Sequence, residues 1–260
     1  MSELIYLWNT TAPYSESSLD QPQPSLMPYI SDGSRGAVIV LAGGGYFRKT
    51  PYEAFPVAEM YQHAGISAFV LDYRIKPCDK MAPLADCNRA VKVVRSLGYE
   101  KVALLGFSAG GNAICCAATH YDKGIENSSD PIERYSSRPD AFIPCYAVIS
   151  FMTYTHKGSV VNLLGNDAEY DYWRKYFSAE LNVTDDTPTA FIWHCADDAA
   201  VPVQCAHELA LALSEHKVPY EMHIFASGGH GLGLAEDNRV VASWAPLSCD
   251  FLERLGFKKV

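Results

Sequence analysis

The chain has no surplus of positive charge: 21 lysines and arginines stand against 30 aspartates and glutamates, a formal net charge of -9. A surface of that sign repels nucleic acid and anionic membrane, so neither is expected as a partner. No apolar run approaches the roughly 18 residues that span a bilayer, and the opening stretch Met1 to Trp8 has neither a basic start nor a sustained apolar core. A soluble, cytoplasmic protein is expected. None of the eight cysteines forms a CxxC pair, so no zinc site is recognisable, and no metal or cofactor is expected. These cysteines lie in apolar segments of a chain without an export signal, which favours reduced, buried thiols over disulfides. Neither GxGxxG nor GxxxxGK[ST] occurs, which leaves Gly43-Gly44-Gly45 without the frame of a phosphate cradle. No repeat, long linker or low-complexity tract divides the 260 residues, so residues 1–260 read as one domain.

What is present is a regular alternation. After an irregular Pro- and Ser-rich lead-in over residues 11–28, apolar runs of β type alternate with stretches of helical period, the pattern of a parallel sheet with crossover helices. Strands are predicted over residues 37–42, 67–71, 101–105, 141–149, 190–193 and 220–225, and helices over 52–64, 83–97, 109–120, 203–216 and 240–255. Most of the strands are too continuously apolar to have a wet face. The rhythm breaks over residues 151–188, where Tyr154, Tyr170, Tyr172, Trp173, Tyr176 and Phe177 accumulate without an obvious strand. This stretch reads as a cap inserted over the carboxyl edge of the sheet.

Chemistry concentrates where strands end. Gly106-Phe107-Ser108-Ala109-Gly110-Gly111 follows the run Lys101 to Leu105 and opens a helix. This is the GxSxG nucleophile elbow in its required context: the turn is too tight for side chains at the glycines, and the strained serine projects its Oγ clear of the backbone. An N-cap serine alone would need no such glycines. Gly43-Gly44-Gly45-Tyr46, at the end of an earlier strand, resembles the HGGG oxyanion loop of esterases and lipases, with Ala42 where histidine is usual. Gly44, Gly45 and Ala109 are the expected oxyanion donors.

An acid and a histidine should follow in that order, each after a later strand. His194-Cys195-Ala196-Asp197-Asp198 precedes Val201-Pro202 and resembles the HGxxDxxVP acid loop. Matching the distance to Val201-Pro202 selects Asp198, and a one-residue shift in register would select Asp197. His194 is expected to pack or hydrogen-bond behind this loop. Next comes Ser227-Gly228-Gly229-His230-Gly231-Leu232-Gly233, a loop able to carry His230 to the serine. The remaining histidines, His156 among them, receive no catalytic role. Arg74 reads as a structural ion-pair partner. Ser108 as nucleophile, His230 as base and Asp198 as the group orienting it specify acyl transfer to water.

In their order these segments, with Leu71-Asp72-Tyr73-Arg74 and Pro83-Leu84-Ala85-Asp86 between them, resemble the bacterial acetyl xylan esterase and sugar esterase branch of the α/β hydrolases. The resemblance extends to Leu7-Trp8 and Pro24 to Tyr29, which look like that branch's entry strands, and is weakest over residues 120–188. It implies an α/β-hydrolase fold with a mostly parallel sheet between two helix layers. It also implies short-chain, mainly acetyl, esters on sugars or xylo-oligosaccharides as substrates. Tyr46, Tyr154 and Trp173 are candidate sugar contacts. A formamidase resembling those that act on N-formylkynurenine shares the glycine loop and the elbow, and a non-catalytic binding protein on this fold is a further alternative. A homodimer stays open.

Overall fold

The computed structural model describes residues 3–18 and 20–258. Its centre is a sheet of eight strands: β1 (Ile5–Tyr6), β2 (Ser25–Tyr29), β3 (Gly36–Leu41), β4 (Ser67–Asp72), β5 (Lys101–Phe107), β6 (Ala141–Cys145), β7 (Thr189–Cys195) and β8 (Tyr220–Phe225). Their order is β1-β2-β4-β3-β5-β6-β7-β8, antiparallel from β1 to β4 and parallel from β4 to β8. The chain leaves β3 to one side for β4 and returns past it to β5, which makes the β3/β5 boundary the topological switch point. Open α/β sheets bind ligands beyond the carboxyl ends of their strands at that boundary.

Alternation along the buried strands builds two cores. Ile39, Leu41, Val102 and Leu104 face one layer, formed by α2 (Ala82–Ser96), α3 (Ser108–Thr119) and α6 (Gln204–Glu215). Val38, Val40, Ala103 and Leu105 face the other, formed by α1 (Phe55–His63) and α7 (Trp244–Arg254). A strand covered on both faces has no polar side, which is why β3 is buried along its whole length. The fold is the expected α/β-hydrolase sheet between two helix layers.

Three differences from the sequence reading are informative. The lead-in is not irregular to its end: Ser25–Tyr29 adds an antiparallel strand beside β4, against the irregular reading of residues 11–28 and in line with the entry strand that the resemblance implies over Pro24 to Tyr29. The run over 141–149 stops being strand at Cys145, where Tyr146 takes φ 35° and turns the chain, its N–H donating to the Trp193 carbonyl at 2.8 Å. Residues 146–149 stay buried as non-strand chain, and apolarity alone cannot separate the two states. The helix expected from residue 240 begins as a 3₁₀ turn, Val241–Ser243, before α7. Between β6 and β7 the chain forms α4 (Lys157–Leu164) and α5 (Asp171–Tyr176) with short 3₁₀ turns.

All eight cysteines are free thiols and all but Cys78 are buried. Among the described residues no helix is long and apolar enough to cross a membrane, and no cluster of His, Cys, Asp or Glu could hold a metal ion.

Candidate active site

Ser108 is the first residue of α3 and holds φ 52°, a backbone region that costs a non-glycine residue about 1–3 kcal/mol. The surrounding chain leaves it no alternative. The Ser108 carbonyl accepts from the Val148 amide at 3.1 Å, and a Cβ on Gly110 would sit 2.5 Å from the Ala42 carbonyl. The elbow and the glycine loop are therefore in backbone contact, an approach only glycine permits.

His230 Nε2 lies 2.9 Å from Ser108 Oγ, and its Nδ1 lies 2.6 Å from Asp198 Oδ2. A carboxylate accepts only, so Nδ1–H is the donor and Nε2 is left as the acceptor for the serine hydroxyl. Asp198 Oδ2 also accepts from His194 Nε2 at 3.1 Å, while Oδ1 accepts from the amides of Ala200 at 2.8 Å and Val201 at 2.9 Å. Burial alone would raise this carboxyl. The hydrogen bonds from His194, His230 and the Val201 amide, with the charge of His230, outweigh it and hold Asp198 well below the usual carboxylate range.

Asp197, the neighbour one residue away, points elsewhere: Oδ1 accepts from the amides of Gly228 at 2.9 Å and Gly229 at 2.8 Å. It ties down the loop that carries His230. His194 donates behind the acid loop, to Val201 O as well as to Asp198. Arg74 is buried against Asp86, with Nη2 at 2.6 Å from Oδ1, and does not line the serine's cavity.

Gly44 and Gly45 line a cavity of about 450 Å³ together with Ser108, His230, His156 and Asn162. Among the described residues the amides of Gly44 and Gly45 have no hydrogen-bond partner, and Ala109, in the first turn of α3, has no carbonyl within its helix to donate to. A smaller, more apolar cavity of about 360 Å³ against Ala42, Lys49 and Phe55 contains none of these groups.

The candidate sugar contacts fare differently. Tyr46 is 1% exposed and donates its hydroxyl to Asn112 Oδ1 at 2.8 Å, so its ring braces the glycine loop from below and cannot meet a ligand. Trp173 stacks among Tyr172, Tyr176 and Phe177, with Lys80 Nζ 4.1 Å from its ring centroid, and does not line the cavity. Tyr154 is exposed and also lies outside the lining. Aromatic side chains in this segment pack on each other before they face solvent.

Sequence reasoning missed Glu53. It is 2% exposed, and its carboxylate accepts from the Gly43 amide at 2.9 Å and from the Tyr146 hydroxyl at 2.7 Å. Tyr146 in turn accepts from the Gly233 amide at 3.0 Å, and its ring meets His230 edge-on with centroids 4.8 Å apart. One buried carboxylate thus links the glycine loop to the histidine loop. Burial pushes it above the ordinary glutamate range, against the opposing hydrogen bonds of Tyr146 and Gly43. Also missed were His156 and Asn162, which enter the cavity from α4 and its N-cap; the Asn162 side-chain amide donates to the Gly45 carbonyl at 2.9 Å.

With this geometry in view, the chain is comparable with known proteins. Residues 26–213 match the BD-FAE family model. This chain belongs to the BD-FAE family. It is an α/β hydrolase of the acetyl xylan esterase type. It superposes on the acetyl ester-xyloside bifunctional hydrolase of Caldicellulosiruptor lactoaceticus with a TM-score of 0.93 and 39% identity, over 99% of this chain and 97% of that one. It is 36% identical to endo-1,4-beta-xylanase B of Butyrivibrio fibrisolvens and 27% identical to the acetylxylan esterase of Xylanibacter ruminicola, in each case over 82% of this chain. The match spans 35% and 45% of those two proteins, less than half the length of either curated relative.

Proposed function

We propose that this chain is a carboxylesterase that removes short acyl groups, principally acetyl, from hydroxyls of sugars or xylo-oligosaccharides. The observation that carries it is the hydrogen-bonded series Ser108, His230, Asp198 opening onto a cavity lined by Gly44 and Gly45. Ser108 Oγ attacks the ester carbonyl while His230 Nε2 takes its proton, and Asp198 stabilises the imidazolium. The amides of Gly44, Gly45 and Ala109 receive the oxyanion. Collapse breaks the bond to the sugar oxygen, which leaves with the proton from His230, and the acyl group stays on Ser108. Water then attacks, giving its proton to His230, and the acid is released as the proton returns to Oγ. The segment 151–188 serves as a cap over this reaction, and the relatives named above support the acetylated-sugar substrate class.

The test is initial-rate hydrolysis of 4-nitrophenyl acetate, butyrate and octanoate beside acetylated xylo-oligosaccharides and N-formylkynurenine, with Ser108→Ala as control. Acetate release from the oligosaccharides, reduced at least about 10³-fold in the folded mutant, is the expected result. Preference for N-formylkynurenine would reassign the chain as a formamidase, and silence across the panel would make it a binding protein.

A further inference from the structure

A second imidazole shares the cavity with His230 and cannot do the same work. His156 is the N-cap of α4, and its Nδ1 accepts from the Ser159 amide at 3.2 Å while lying 2.9 Å from the Ser159 hydroxyl. An amide only donates, so Nδ1 is the acceptor and the neutral ring carries its proton on Nε2. That nitrogen has no hydrogen-bond partner among the described residues, although the ring lines the cavity and its Cε1 lies 3.7 Å from where a Cβ on Gly45 would be. Burial first, then the charge of His230, disfavour the imidazolium, and Asp198 opposes them. With its basic nitrogen occupied, His156 cannot take the Ser108 proton. It is a fixed neutral donor facing a polar space.

Such a donor needs an acceptor on the substrate. An acetyl group offers only its carbonyl oxygen, and the amides of Gly44, Gly45 and Ala109 are available for that. The acceptors left over belong to the alcohol. On the reading that the chain is a sugar acetyl esterase, we infer that His156 is a specificity-determining residue whose Nε2–H donates to a hydroxyl oxygen of the sugar leaving group. Ser159 is its positioning residue, because it dictates the tautomer. The device selects esters of polyols over esters of simple alcohols or phenols, which have no further hydroxyl to receive that hydrogen bond.

The experiment compares kcat and KM on acetylated xylo-oligosaccharides and on 4-nitrophenyl acetate for wild type, His156→Phe, His156→Gln and Ser159→Ala. The readout is the ratio of kcat/KM on the sugar ester to that on the aryl ester. His156→Phe, which keeps a ring and loses the donor, is expected to lower the ratio about tenfold, in line with one buried hydrogen bond. His156→Gln, which restores an N–H donor, should recover part of it, and Ser159→Ala, which removes the hydroxyl beside Nδ1 and keeps the amide that fixes the tautomer, should lower the ratio less than His156→Phe does. A ratio unchanged in His156→Phe overturns the proposal, as does an equal loss on both esters, which would put Nε2–H on the oxyanion instead. A wild-type enzyme that cleaves the aryl ester and no sugar ester overturns the underlying substrate reading, a failure visible before any variant is made.

Discussion

The loops at the carboxyl ends of β3, β5, β7 and β8 differ from the 151–188 segment in how tightly each residue is specified. In the loops each carboxylate is tied to several donors: Asp198 spends both oxygens on four, Asp197 holds two consecutive amides, and Glu53 bridges a glycine amide and a tyrosine hydroxyl. In the segment most large side chains satisfy one another, and His156 and Asn162 are the ones that line the cavity with Ser108. On the proposed function, chemistry falls to a frame that backbone geometry dictates, and contact with the alcohol part of the substrate to the segment.

The sharpest way to break that contrast lies within one dipeptide. Asp198→Asn would place an N–H₂ or a single oxygen where two histidine N–H groups now converge, so His230 would turn over its tautomer, present Nε2–H to Ser108 and lose the ability to accept its proton. A fall in kcat of about 10⁴ is expected, with the fold retained. Asp197→Asn keeps an oxygen that can accept from both Gly228 and Gly229, and should cost no more than about tenfold. Steady-state kinetics on 4-nitrophenyl acetate rank the two, and the reverse ranking would move the acid by one residue. Asp198 also sets an acid limit. Its carboxyl is held low in the folded protein, so the stability it contributes is complete above the ordinary aspartate range near pH 3.9 and is lost as pH falls toward its depressed value.

How much of this was legible in the sequence follows the same division. The elbow could be read because a strand-to-helix turn excludes side chains at fixed positions: a Cβ on Gly106 would come 2.6 Å from the Gly110 carbonyl carbon and 2.8 Å from the Gly111 nitrogen. Few sequences satisfy that constraint, so the motif carries its geometry with it. Spacing brought the acid to two adjacent residues and favoured Asp198; only the hydrogen bonds separate their directions. Glu53 was invisible because an acidic residue at the start of a helix ordinarily faces water, and its partners lie 10 and 93 residues away. Tyr46 and Trp173 were misplaced for a related reason. Composition says that an aromatic residue is near a site and cannot say which way its ring points. Tyr46, beside two cavity-lining glycines, points into the core, and Trp173 into its neighbours.

Glu53→Gln tests whether the linkage beneath the loops matters as much as their visible motifs. Glutamine has one acceptor oxygen for two donors, so either the Gly43 amide or the Tyr146 hydroxyl loses its partner. If the glycine loop depends on it, kcat should fall about tenfold with KM nearly unchanged, because the oxyanion forms only in the transition state. The pH dependence of stability should change in the opposite sense to that of Asp198. A carboxyl raised by burial leaves the fold most stable while protonated, and that contribution is lost as pH rises through the raised value. The wild type therefore carries a penalty at neutral pH that the variant lacks. Thermal melts across mildly acid to neutral pH should show a flatter profile for Glu53→Gln, and parallel profiles would mean that the carboxylate is fully compensated by its donors.

The smallest effect on rate is expected from the largest side chain in the segment. Trp173 is partly buried in an aromatic cluster with Tyr172, Tyr176 and Phe177 and is not part of the cavity lining. Truncating a partly buried aromatic costs less than the ~3–5 kcal/mol of a fully buried one, and about 2 kcal/mol corresponds to a fall of several degrees in Tm for a domain of this size. Trp173→Ala should therefore melt earlier while hydrolysing 4-nitrophenyl acetate within about twofold of wild type. The same variant assayed on acetylated xylo-oligosaccharides sharpens the comparison. A KM unchanged on both esters would mean that the cluster supports the segment from within, and a KM raised on the oligosaccharide alone would mean that a longer substrate extends past α4 to the Trp173 ring.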